Sequence, residues 1–209
     1  MKTLTQTAES QKNISPAQAL ELLKEGNKRF VSKYRLERDL YQQIKETADG
    51  QFPFAAVVSC IDSRIPTEVV FDKGIGDIFN ARVAGNIVNE DILGSLEFAC
   101  KIAGAKAIVV MGHTACGAVK GACDNAELGN LTQMLDKIKP AVELTLTSEG
   151  EERNSSNNEF VDKVANKNVE LTIENIKSQS TVLNQMIDNN QLAIVGAMYD
   201  VKTGEITFS

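Results

Sequence analysis

The chain has 209 residues, 43% of them apolar, and a formal net charge of −6. That length suits one domain with a sizeable core. The acidic balance, with no Lys/Arg cluster, argues against nucleic acid, whose phosphates need a basic surface. No run approaches the roughly 18 apolar residues of a membrane helix. The first residues, MKTLTQTAESQKN, contain no apolar signal core, so the expected location is cytoplasmic, unless a leader has been removed.

Residues 1–13 are polar and patternless and are expected to be a loose tail. Ser15-Pro16 then marks a helix start, as N-cap and first helical residue. Leu20, Leu23, Asn27 and Phe30 form a mostly apolar stripe along this helix. Such a stripe can pack on its own core or on a partner subunit. Residues 32–50 are charged and are predicted to be helical up to Gly50.

Beyond Pro53, residues 54–59 form an apolar run with the length of a buried strand. It ends in Cys60-Ile-Asp62-Ser-Arg64. Pro66 opens a short helix that stops near Gly74, and residues 77–83 make a second strand. A helix is predicted over 90–103 and a third buried strand over 106–111, followed by a helix from about residue 115. Residues 131–147 suggest a helix broken at Pro140, and 148–158 an exposed polar loop. A long amphipathic helix, 159–178, and a short one, 180–189, lead to a strand over 191–199 and a hairpin into Glu205–Phe208.

Strands alternating with helices predict an α/β fold, a mainly parallel β-sheet flanked by helices. Residues 1–50 would be a tail and helical extension, which can pack on a partner subunit, and 51–209 a single α/β catalytic domain. Ligands in such sheets bind beyond the C-terminal strand ends, where strand order reverses.

Two such ends carry soft metal ligands. The run Ala107 to Met111 breaks at Gly112 and delivers His113 and Cys116; His113 is the only histidine in the chain. The run 54–59 delivers Cys60. Cys60, His113 and Cys116 make a Cys2His set suited to a zinc ion with one position left for water. Asp62 could orient a zinc-bound hydroxide or fill the fourth position itself, and Arg64 could hold the Asp62 carboxylate by a paired hydrogen bond. Cys100 and Cys123 lie in helical patterns and are expected to be small buried hydrophobes. A structural zinc site would need one of them as fourth ligand. The residues alone also leave open a Cys-His nucleophile dyad.

Together the two stretches resemble the β-class carbonic anhydrases. The resemblance rests on C-x-D-x-R at Cys60, Asp62 and Arg64, on H-x2-C-G at His113, Cys116 and Gly117, and on Phe79-Asn-Ala-Arg82-Val-Ala-Gly-Asn86 between them. It is strong from Gln51 to Val119 and weaker through Tyr199-Asp-Val-Lys-Thr-Gly204. It implies zinc on Cys60, His113 and Cys116, the dyad Asp62 and Arg64, and reversible hydration of carbon dioxide to bicarbonate and a proton. Asp62 would be a fourth ligand in a closed form. Gln51 would contact substrate, often from across a dimer interface. Phe79 and Ala84 would line the carbon dioxide pocket, and Gly85 would leave room for backbone beside it. A homodimer, or a tetramer of two dimers, is the implied assembly.

Two departures matter. A pocket tyrosine of plant-type members is Phe98 here. Members regulated by bicarbonate carry a tryptophan, an arginine and a tyrosine; Arg82 and Tyr199 match, but Val57 stands at the tryptophan position. The non-allosteric subtype is therefore expected. Alternatives are a hydrolase of carbon disulfide or carbonyl sulfide on the same scaffold, and a zinc-binding domain without activity.

Overall fold

In the computed structural model, residues 5–209 are described. Five strands form one sheet in the order β2-β1-β3-β4-β5: β1 Ala55–Ser59, β2 Ile78–Arg82, β3 Ala107–His113, β4 Ala193–Tyr199 and β5 Ile206–Phe208. The first four are parallel and β5 runs antiparallel to β4. Chain order therefore reverses at β1 and β3, the place where doubly wound sheets open a crevice.

Both central strands are buried throughout, which explains their unbroken apolar runs. Their side chains alternate between two layers. Ala55, Val57, Ala107, Val109 and Met111 face one core with Leu23, Phe71, Ile138, Phe160 and Val164. Ala56, Val58, Ile108 and Val110 face the other with Leu96, Cys100, Ile176 and Leu183. Helix α9, Asn158–Gln179, contributes to both.

The helix predicted from Ser15-Pro16 is α2, Pro16–Val31, with a capping box between Ser15 and Gln18. Its Ala19 and Leu23 are fully buried in the core of this chain. Asn27 ties it to the sheet, donating to the Val70 and Gly204 carbonyls and accepting from the Ile206 N–H. The stripe on α2 is thus satisfied within its own chain. Just beyond it, Tyr34, Leu36, Leu40, Tyr41 and Ile44 are exposed, as is Val31 at its end.

Several expectations need correction. The stretch 1–13 is not patternless throughout: α1, Ala8–Asn13, is capped by Thr7 and Ser10. It is fastened by Gln11, which donates to the Pro53 and Ala103 carbonyls; residues 1–4 lie outside the described part. Of 32–50, only α3, Leu40–Glu46, is helical. Asp72 bonds the Leu36 N–H and the Arg38 side chain, tying down the preceding non-helical segment. Helix α4 is the single turn Thr67–Val70. The helix over 90–103 is α5, Glu90–Glu97, widening into a π-helical turn over Phe98–Ile102. Strand β3 runs two residues further than expected, so His113 is its last residue. Helices α6, Gly117–Cys123, α7, Gly129–Asp136, and α8, Lys139–Leu144, follow. The break in 131–147 precedes Pro140, which opens α8, as the missing N–H of proline favours. Helix α10 is Thr181–Asp188. Among the described residues, no helix is long and apolar enough to cross a membrane.

Candidate metal centre and active site

Parallel pairing puts Ser59 beside Met111, so the residues that follow each strand emerge side by side. Cys60 leaves β1, His113 ends β3, and Cys116 is the N-cap of α6. All three are buried, and one ligand atom from each lies within 4.8 Å of the others. Three atoms sharing one zinc at about 2.0–2.3 Å need a span of this order.

The imidazole is set for a metal. Its Nδ1 lies 2.9 Å from the Thr114 carbonyl. A carbonyl only accepts, so Nδ1 carries the proton and Nε2 presents a lone pair. That Nε2 is buried and has no hydrogen-bond partner among the described residues. An orphaned buried acceptor is costly, and a cation between it and two sulfurs removes the cost. Two thiolates and one neutral imidazole are a zinc donor set. The residues fit the ion.

The sulfurs are interdependent. The neighbouring Cys116 thiol first, then the closeness of the His113 ring and the backbone N–H groups of Gly85 and Asp62, lowers the Cys60 thiol to about 4. The same neighbour contact and burial push the Cys116 thiol up. A dication between the two sulfurs would favour the thiolate form of both. Cys100 and Cys123 are buried apolar residues, as expected. Burial lifts their thiols to about 12 and about 11, and neither belongs to the cluster of Cys60, His113 and Cys116.

Asp62 stands beside the cluster, its Oδ2 4.0 Å from His113 Nε2. Arg64 grips both its oxygens, Nε to Oδ1 at 2.9 Å and a terminal nitrogen to Oδ2 at 2.7 Å. The Arg64 N–H adds a third bond to Oδ1. The Arg64 side chain is the main reason the Asp62 carboxyl falls to about 2. Arg82 braces this loop, donating to the Cys60 and Asp62 carbonyls at 3.0 and 2.6 Å. The Tyr199 hydroxyl donates to the Arg64 carbonyl at 3.5 Å. Sequence reasoning saw Arg82 and Tyr199 only as matches to an anion site; their bracing contacts cross from one strand to another and have no local signal. Val57, the tryptophan position, is fully buried core.

The other expected residues fall into two groups. Ala84 and Gly85 form a 3-10 turn beside Cys60, and the Gly85 N–H donates to its sulfur at 3.4 Å. Gly85 has φ +72°, and a Cβ there would stand 2.5 Å from Ile138 Cδ1. Phe79 lies instead on β2, in edge-to-face contact with Phe98 across 6.3 Å. Both line a cavity of about 560 Å³ with Ala56, Gly94 and Ser95. Gln51 is exposed and precedes β1, at the end opposite Cys60. One chain therefore brings Cys60, Asp62, Arg64, Ala84, Gly85, His113 and Cys116 together, and leaves Gln51 and Phe79 elsewhere.

Comparison with known proteins agrees with this geometry. The family model described as carbonic anhydrase matches residues 55–206. Carbonic anhydrase 2 of Mycobacterium tuberculosis is 33% identical over 92% of each chain. The carbonic anhydrase of Mycolicibacterium smegmatis is 34% identical over 93% of each. Among solved structures, the β-carbonic anhydrase CafA of Aspergillus fumigatus superposes with a TM-score of 0.72 at 26% identity, covering 92% of this chain and 89% of that one. A tetrameric β-carbonic anhydrase of Sordaria macrospora gives 0.69 at 27% identity, covering 79% and 84%. A chain with this sheet, this ligand set at its switch point and these relatives belongs to the carbonic anhydrase family, in its β class.

Proposed function

We propose that the protein catalyses the reversible hydration of carbon dioxide to bicarbonate and a proton, with Zn²⁺ held by Cys60, His113 and Cys116. The observation that carries this is the buried His113 Nε2, without a hydrogen-bond partner among the described residues, in a cluster with two cysteines. Zinc bound to such a set lowers the pKa of a water molecule it holds to about 7, which supplies a nucleophile at neutral pH. Asp62, beside the cluster, would accept a hydrogen bond from a nucleophile held there and orient it. Arg64 fixes both Asp62 oxygens and so would hold the carboxylate back from the metal; Asp62 would have to leave that grip to become a ligand itself. Ala84, in the 3-10 turn beside Cys60, would help line the pocket that receives carbon dioxide, and Gly85 would leave room for backbone beside it.

Gln51 and Phe79 act in this reading from a second copy of the chain. Phe79 and Phe98 line an open cavity on edge strand β2, and Gln51 sits exposed on the far side of β1. The exposed side chains of Tyr34, Leu36, Leu40, Tyr41 and Ile44 supply apolar surface for the same contact. The minimal active unit is a homodimer, and two dimers can form a tetramer. The absence of tryptophan at Val57, with Arg82 committed to two backbone carbonyls, supports the non-allosteric subtype.

Stopped-flow hydration of carbon dioxide tests the reading. Chelation should abolish activity and zinc should restore it. Cys60→Ser or Cys116→Ser should lose stoichiometric zinc. Metal retained by both variants, or hydration unchanged after chelation, contradicts it. Carbon disulfide as a parallel substrate separates the hydrolase alternative, and a zinc protein inert on both would be a binding domain.

A further inference from the structure

Helix α9 touches the metal centre at two separate points. Near its start, Asp162 Oδ1 accepts the Ala115 N–H at 3.0 Å. Ala115 lies between the ligands His113 and Cys116 and has φ +54°, a left-handed conformation that alanine rarely adopts. Further along, Asn168 Nδ2 donates to the Gly85 carbonyl at 2.8 Å. Gly85 also has a positive φ, and its N–H is the one that donates to the Cys60 sulfur. Asn168 is 2% exposed, so its amide is committed inside the protein.

Helix α9 is close enough to do this because two strands give way to it. A Cβ on Gly112, the residue before His113, would stand 2.8 Å from Val169 Cγ2. A Cβ on Gly196 of β4 would stand 2.8 Å from Val169 Cγ1. The glycines let the helix sink onto β3 and β4, and Asp162 and Asn168, six positions apart, lie about 9 Å apart along its axis. That distance lets one rigid helix reach both ligand turns.

We propose that Asp162 and Asn168 are positioning residues of the metal centre, holding the left-handed backbone at Ala115, between two of the ligands, and at Gly85, whose N–H meets the Cys60 sulfur. Each bond stabilises a conformation that local sequence disfavours or leaves free. Released, Ala115 relaxes to negative φ and swings Cys116 relative to His113. Released, Gly85 turns its N–H away from the Cys60 thiolate. Losing a group that orients a ligand from behind typically costs about 10–100-fold in metal affinity. This inference rests on the reading that Cys60, His113 and Cys116 hold zinc.

The test uses the full-length zinc protein and the variants Asp162→Ala, Asp162→Asn and Asn168→Leu. Release of zinc to a chelator is timed, the visible spectrum of the cobalt-substituted protein is recorded, and the melting temperatures of apo and metal-loaded forms are compared. Asp162→Ala and Asn168→Leu should release zinc about 10–100-fold faster and shift the cobalt bands. Asp162→Asn should behave as wild type, because an amide oxygen accepts the same bond. Asp162 lies on an α-helix, where alanine is well tolerated, so this arm stands if Asn168→Leu fails to fold. Wild-type release and spectra in the Ala and Leu variants overturn the proposal, even with lowered melting temperatures in both forms, since that pattern marks a helix fastening only. Failure of Asp162→Asn to restore release also overturns it. A wild-type protein that binds no zinc refutes instead the metal reading beneath it.

Discussion

Arg64 binds both oxygens of Asp62, at 2.9 and 2.7 Å, while Oδ2 of that carboxylate lies 4.0 Å from His113 Nε2. The aspartate is therefore near the metal position but held from behind. Removing the arginine should free the carboxylate to move onto the metal or out to solvent. Arg64→Leu should keep its zinc yet lose about 10²-fold or more in kcat/KM, in line with the loss of a positioned acid–base group. Arg64→Lys should recover little, because an ammonium cannot bind both oxygens as a planar fork does. Steady-state hydration kinetics with metal analysis checks both; full activity in Arg64→Leu would remove the dyad from the mechanism.

Gly85 should tolerate no side chain. Its φ of +72° strains any L-residue, and a Cβ would press on Ile138 Cδ1. Gly85→Ala is expected to destabilise by about 2–5 kcal/mol from backbone strain and overpacking together. Adding Ile138→Val, which removes the δ-methyl, should return part of that loss and leave the strain. Chemical denaturation of the single and double variants measures it.

Acid should weaken the fold through Asp72. Burial alone would raise this carboxyl, but hydrogen bonds from Arg29 and Arg38 outweigh it and hold it below the ordinary value. A carboxyl lowered in the folded state stabilises above its unfolded value, about 3.9, and loses that contribution as pH falls through the folded value. Asp72 also has φ +47°, which asparagine accepts well. Asp72→Asn therefore isolates the ion pairs: about 3 kcal/mol less stable at neutral pH, with a flatter stability profile below pH 4. Urea unfolding at a series of pH values tests it, and an equally steep acid limb in the variant would assign the loss to other groups.

Proton release should depend on buffer. The one histidine is the proposed metal ligand, so no imidazole remains to carry protons at neutral pH. The turnover number in carbon dioxide hydration is expected to rise with buffer concentration and then saturate. A rate independent of buffer would require an internal proton carrier.

What was legible in the sequence follows physical locality. Two buried strands are continuous apolar runs, and the ligands follow directly from their ends, so Cys60, His113 and Cys116 could be found and paired. The capped start of α2 was readable from Ser15-Pro16. Helix α1 was missed because six residues have little helical signal, and Gln11 fastens it by contacts far along the chain. The helix expected over 32–50 gave way because Asp72 claims the Leu36 and Arg38 segment. Asp162 and Asn168 were invisible for the same reason: their partners lie 47 and 83 residues away, and a polar residue on an amphipathic helix normally faces water.

The zinc coordination shell tests the central claim most directly. X-ray absorption at the zinc edge of the purified protein near pH 8 should show two sulfurs at about 2.3 Å and one imidazole nitrogen at about 2.0–2.1 Å. One further light atom should complete the shell, and a coordinating anion such as azide should displace it. Three or four sulfurs, or a shell closed to added anion, would make the site structural and contradict the proposed activity.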